Sequence, residues 1–92
     1  MSMGPVGYKN LTSSGAVKSA GGTLFGAVLA AGSDAATLTL YDNTAGSGTI
    51  IAKLSAVAGS SEPLVIPQGV AFGVGCSAVL TGTSPNASVF YV

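Results

Sequence analysis

The 92-residue chain has no histidine, no arginine and no tryptophan, one cysteine, and six charged residues: Lys9, Lys18, Lys53, Asp34, Asp42 and Glu62. Each scarcity removes a class of function. Without histidine there is no Ser-His-Asp or Cys-His arrangement and no side chain whose ordinary pKa suits proton transfer near neutrality. Transition metals lose their commonest ligand, and one cysteine with three separated acids does not make a zinc site. Cys76 cannot form an internal disulfide, which is compatible with an intracellular origin. Its place in an apolar run predicts a small buried hydrophobe rather than a reactive thiol.

Charged residues make 7% of the chain and the net charge is zero, where an ordinary soluble domain carries about 25%. Phosphate neutralisation needs clustered Lys or Arg, so no direct nucleic-acid ligand is expected, and a polybasic membrane contact is excluded on the same ground. So little charge gives little colloidal repulsion, and the chain is expected to live assembled. Long hydrophobic runs are missing too. Residues 23–31 and 70–80 are apolar but far shorter than the ~20 residues that cross a bilayer, and residues 1–10 lack the basic and apolar regions of an export signal.

The acids do not match known catalytic loops. An all-β chain of this length invites comparison with dimeric aspartic proteases, but Asp42 is followed by Asn43-Thr44-Ala45 and Asp34 by Ala35-Ala36, not by Thr/Ser-Gly. Oxygen ligands at alternate positions, as in a calcium loop, are absent around Asp42. Gly73-Val74-Gly75 has Ala78 where a third phosphate-loop glycine would stand, and Gly46-Ser47-Gly48 lacks the nucleophile-elbow spacing. Tyr8, Tyr41 and Tyr91 fall in separate segments and make no stacking row for sugars. No catalytic residue, metal or cofactor is expected. Asp42 is read as a turn residue that accepts hydrogen bonds from its own loop, with Asn43 and glycine supplying positive φ. On that basis Asp42→Asn would lower stability only modestly and leave assembly intact.

What is present is β pattern. Residues 36–41 alternate, with Leu38 and Leu40 opposed to Thr37, Thr39 and Tyr41, and residues 49–55 do the same. Residues 87–92 are rich in β-branched and aromatic side chains. Residues 64–67 read as a short strand closed by a Pro67-Gln68-Gly69 turn, with strands at 70–74 and 76–81 after it and a turn at 81–86. Residues 8–12 and 16–20 are weaker candidates. Residues 24–31 fit two templates: Leu24, Ala27, Val28 and Ala31 match a helical face, whereas Gly26 and the nearby alternating segment favour a strand. Strand is the adopted assignment; being apolar on both faces, it would lie between layers or at a subunit contact. Seven or eight short strands with Gly-, Ser- and Pro-rich turns predict an all-β fold, a small antiparallel β-sandwich of jelly-roll type. The expected division is an N-terminal arm or first strand over residues 1–12 and one sandwich domain over 13–92. Met1, Met3, Val6 and Tyr8 make the arm apolar, which suggests that it lies on a neighbouring subunit or on a larger assembly.

Residues 32–37 (GSDAAT), 37–43 (TLTLYDN), the Ser/Gly loop 45–48, 51–54 (IAKL), 69–75 (GVAFGVG) and 89–92 (VFYV) occur in an order that resembles small virion proteins of tailed bacteriophages, of the capsid decoration or cement type. The likeness spans about the last three quarters of the chain. It implies a β-sandwich, frequently a homotrimer, that binds the major capsid protein on the head surface without catalysis. Such a protein would be made in the host cytoplasm and would end on the virion. A head-fibre or tail module that binds a host receptor or glycan is the alternative within the same class of virion proteins. The residues expected to make subunit or capsid contacts are Met3, Val6, Tyr8, Leu24 and Phe25.

Overall fold

The computed structural model describes residues 6–92. Eight strands follow one another: β1 (Gly7–Leu11), β2 (Gly15–Lys18), β3 (Gly22–Ala30), β4 (Ala36–Asp42), β5 (Thr49–Ala56), β6 (Ser61–Phe72), β7 (Cys76–Thr81) and β8 (Asn86–Tyr91). They form two four-stranded antiparallel sheets with orders β1-β8-β3-β6 and β2-β7-β4-β5. The pairings β4–β5, β3–β6, β2–β7 and β1–β8 nest as in one long hairpin whose tip is the β4–β5 loop. The further pairings β4–β7 and β3–β8 roll that hairpin into two layers. This is the double-sheet jelly roll that the alternation predicted.

Period-two alternation explains the core. On β4, Ala36, Leu38 and Leu40 turn inward, and on β8 Ala87 and Val89 do. Across the interlayer space they meet Leu24, Ala27 and Leu29 of β3, Cys76, Ala78 and Leu80 of β7, and Phe72 at the end of β6. Alanine recurs at inward positions, so the layers close on small side chains with a few large ones between them. No buried side-chain polar atom among the described residues lacks a hydrogen-bond partner.

Residues 24–30 are strand and not helix: they belong to β3, a central strand of the first sheet, paired on both sides. Its sequence is apolar on both faces because one face meets the core and the other lies outside.

One expectation needs correction. Residues 64–67 and 70–72 belong to one edge strand, β6, rather than to two strands about a turn. Between Val65, opposite Gly26, and Val70, opposite Leu24, the residues Ile66 to Gly69 form a bulge against the single residue Phe25. Gly69 takes φ 76° there, a backbone conformation that suits glycine, and Pro67 sits where no ladder donor is required. Residues 7–11 of the expected N-terminal arm or first strand form β1, which pairs with β8 from Gly7 opposite Tyr91 to Leu11 opposite Ala87. The expected contact residue Met3, with the rest of residues 1–5, lies outside the described residues.

Candidate functional site

The outer face of the first sheet carries the surface feature most in need of explanation. Register places Tyr8, Phe90, Gly26 and Val65 in one row across β1, β8, β3 and β6, and Asn10, Ser88, Val28 and Pro63 in the next. Val89, between Phe90 and Ser88, is fully buried, so its neighbours point away from the core. Tyr8 is 70% exposed, Val65 75% and Val28 37%. Phe25, the bulged residue of β3, is on the same side, because a Cβ on Gly69 would meet both Phe25 and Thr23. Three of the six aromatic residues of the chain, Tyr8, Phe25 and Phe90, therefore share one solvent-facing surface.

None of the residues in these rows is charged. The two charges on strands of this sheet, Lys9 and Glu62, occupy the alternate register positions, opposite buried Val89 and Leu29, on the edge strands β1 and β6. At the polar end of the face, Asn10 donates to Asn86 Oδ1 at 2.9 Å and to Ser88 Oγ at 3.0 Å. That end is satisfied within the chain, and the unsatisfied part is apolar.

Of the expected contact residues, Tyr8 and Phe25 come together on this face, and Val6 precedes the strand that carries Tyr8. Leu24 does not: it is 0% exposed and packs in the core, so the chain itself covers it. The bulge at Phe25 breaks the alternation and sends Leu24 inward and Phe25 outward. Val28, Val65 and Phe90 were not singled out from sequence. The alternation of 87–92 could have marked Phe90, but its neighbours across the sheet depend on pairings between distant segments.

The second sheet differs. Thr37, Thr39, Ser77 and Thr81 lie at its outward positions, with Thr37 and Thr81 hydroxyls bonded to each other. The β4–β5 loop folds back over this side, where Ser77 Oγ donates to the Ala45 carbonyl at 2.6 Å. Between that loop and the start of β2 lies a cleft of about 240 Å³ lined by Ser14, Thr44, Gly46, Ser77 and Val79 among others. It contains no charge. Ser14 already accepts from the Leu80 amide, and Ser77 is spent on the loop, so the cleft offers little for fixing a ligand.

Asp42 holds a remote loop rather than its own. Its Oδ2 accepts from the Gly73 amide at 3.1 Å, and its Oδ1 accepts from Val74 at 2.9 Å and Gly75 at 3.4 Å. The own-loop role belongs to Asn43, whose Oδ1 accepts from the Thr44 amide and whose Nδ2 donates to the Ser47 carbonyl. Gly48, not Asn43, supplies the positive φ. At the other end of the sandwich Asp34 accepts from Thr83 Oγ1 at 2.6 Å and ties the β3–β4 loop to the β7–β8 turn. The two aspartates flank β4 and clamp opposite ends of the molecule.

The amides of Val74 and Gly73 hold the Asp42 carboxyl below its ordinary pKa. A depressed folded-state value means that its contribution to stability is complete above pH ~4 and is lost as pH falls through the folded value. Asp42→Asn places an NH₂ where one carboxylate oxygen accepts, leaving an amide donor facing a donor. The modest loss expected from a turn role is thus replaced by a larger one. Thermal midpoints should fall in the variant at pH 7, and the gap to the parent should narrow as pH drops from 5 toward 3. A gap that stays constant with pH would refute the charged clamp. Burial, with the nearby Asp42 charge second, pushes the Cys76 thiol up to about 11, so at neutral pH it is protonated and inert.

Among the described residues no three of His, Cys, Asp and Glu come together in a group that could hold a metal ion, and no helix is long and apolar enough to cross a membrane. No protein-family model, curated protein or solved structure matches the chain.

Proposed function

We propose that the chain is a structural protein of a phage virion, a cement or decoration protein that binds the assembled head and performs no catalysis. The observation that carries the reading is the uncharged, aromatic outer face of the first sheet on a small, cross-clamped sandwich. Such a face is unfavourable in water and suits a subunit whose surface is covered in an assembly. The resemblance of the sequence motifs to those of capsid decoration proteins directs this reading toward the phage head. The mechanism is mass action: a protein that binds the closed shell and not its free subunits stabilises the shell by its binding free energy, repeated at every equivalent site.

The test uses particles of the encoding phage that lack this protein. Adding the purified chain should decorate heads evenly in negative-stain images and raise the temperature at which the heads release DNA. Density confined to vertex spikes or to the tail would instead favour the fibre or tail module that binds a receptor or glycan. No attachment to particles at all would reject both virion roles.

A further inference from the structure

We infer that the outer face of the first sheet is a self-association surface, covered by the same face of a second copy of this chain. The inference rests on the reading of the protein as an assembly subunit and names the partner of that face.

The distribution of charge argues for face-to-face rather than edge-to-edge contact. The four edge strands are β1, β6, β2 and β5, and each carries one charged residue: Lys9, Glu62, Lys18 and Lys53. The central strands β3, β7 and β8 carry none, and the sole charge on β4, Asp42, is its last residue and is bonded to a loop. Charges on edges, together with Pro63 and Pro67 on the longest one, oppose addition of another strand. The chain thus spends four of its six charges on guarding its edges and none on the aromatic face.

Tyr8, Val65 and Val28 are 70%, 75% and 37% exposed, and with exposed Pro63 and the half-buried Phe25 and Phe90 they make an uncharged apolar patch of the kind that marks an interaction site. With its polar border at Asn10, Asn86 and Ser88, the face has the apolar centre and polar rim of a protein–protein contact. A like copy suits it because neither side brings a charge that would have to be desolvated unpaired. Two such faces can pack as aligned sheets ~10 Å apart, the arrangement already used inside the sandwich. A two-fold axis through the aromatic band closes the contact, so that it does not propagate into fibres.

The test is sedimentation equilibrium of the full chain at micromolar concentrations, with Tyr8→Lys/Val65→Lys as the variant. Both side chains are largely exposed within one chain, so the fold should be kept, as circular dichroism and the thermal midpoint check. Wild type should sediment as a dimer, at twice 8.8 kDa. The variant should associate at least ~100-fold more weakly, because it places uncompensated charge in a desolvated contact. Ile50→Lys on the β5 edge, a single added charge away from the face, should leave the mass unchanged. A monomeric wild type, or a double variant that keeps the wild-type mass, overturns the inference. Weaker association on Ile50→Lys alone would assign the contact to the edge of the second sheet and would overturn it as well. Head decoration is read separately: a monomeric wild type that still decorates heads refutes self-association and leaves the virion role standing, whereas an oligomer that binds no particle does the reverse.

Discussion

Phe72→Ala is expected to cost about 3–5 kcal/mol, a large part of the ~5–15 kcal/mol by which a domain of this size is folded. Phe72 is the largest fully buried side chain and is 2% exposed. It stands at the end of β6, opposite Gly22, and its ring reaches across so that a Cβ on Gly22 would come within 3.0 Å of it. The other core positions hold aliphatic side chains or Cys76 and no second aromatic ring, so nothing fills the space left by the ring and the cavity would persist. The corner where β6 leaves the first sheet is also where Asp42 grips Gly73 to Gly75. Losing the ring removes the apolar support on which that clamp closes. Unfolding followed by circular dichroism should show a midpoint lower by on the order of 20 °C. Phe72→Leu should recover more than half of the loss. A shift of only a few degrees in the alanine variant would mean that Phe72 is not the closing residue of the core.

Gly26→Ala is expected to destabilise by about 1–3 kcal/mol although alanine is ordinarily the better strand residue. Gly26 has no positive φ, so the reason is space and not conformation. An added Cβ would come within 2.5 Å of the Leu64 carbonyl oxygen, a backbone atom of the neighbouring strand that cannot swing aside. Relief would require β3 and β6 to separate at the Phe25 bulge, where the ladder is already interrupted. The disturbance falls beneath Phe90 and Val65, so self-association should weaken together with stability. Gly73→Ala is the control: its φ is not positive and its Cβ would meet nothing within 4 Å, so its midpoint should stay within ~0.5 kcal/mol of the parent. If Gly26→Ala is as stable as Gly73→Ala, the close approach of β3 to β6 is not a constraint on the fold.

The fold class was legible because the alternation in 36–41 and 49–55 is a local property of the backbone. Side chains two residues apart must share a face wherever the strand is placed. Residues 24–31 were harder, since a central strand whose outer face is also apolar loses its alternation and comes to resemble a buried helix turn. The Pro67-Gln68-Gly69 turn signal was sound chemistry in the wrong setting: the same residues that end a strand also make a wide bulge when both flanking segments pair with one partner strand.

The candidate face was half legible. Tyr8 and Phe25 could be chosen as large apolar residues in segments with little else to bury them. Leu24 was chosen with them because adjacent residues cannot be assigned to faces until the bulge is known. Asp42 was read from its neighbours as a turn residue, but its partners lie more than thirty residues away, and nothing local distinguishes an acid that turns its own loop from one that holds another.

By itself, then, the sequence determined the strand character, the shared face of Leu38 and Leu40, the buried thiol and the lack of histidine, because composition and period-two patterning act within a few residues. The tertiary structure alone decided which strands are edges, and hence that Lys9, Lys18, Lys53 and Glu62 each guard one. It also decided that Tyr8, Phe90 and Val65 share a row, and that Asp42 closes the β6–β7 loop. The physical reason is that strand neighbours in a rolled hairpin are set by pairing between residues as far apart as Gly7 and Tyr91, and antiparallel ladders bond through the backbone, whose hydrogen-bonding groups are the same at every non-proline residue.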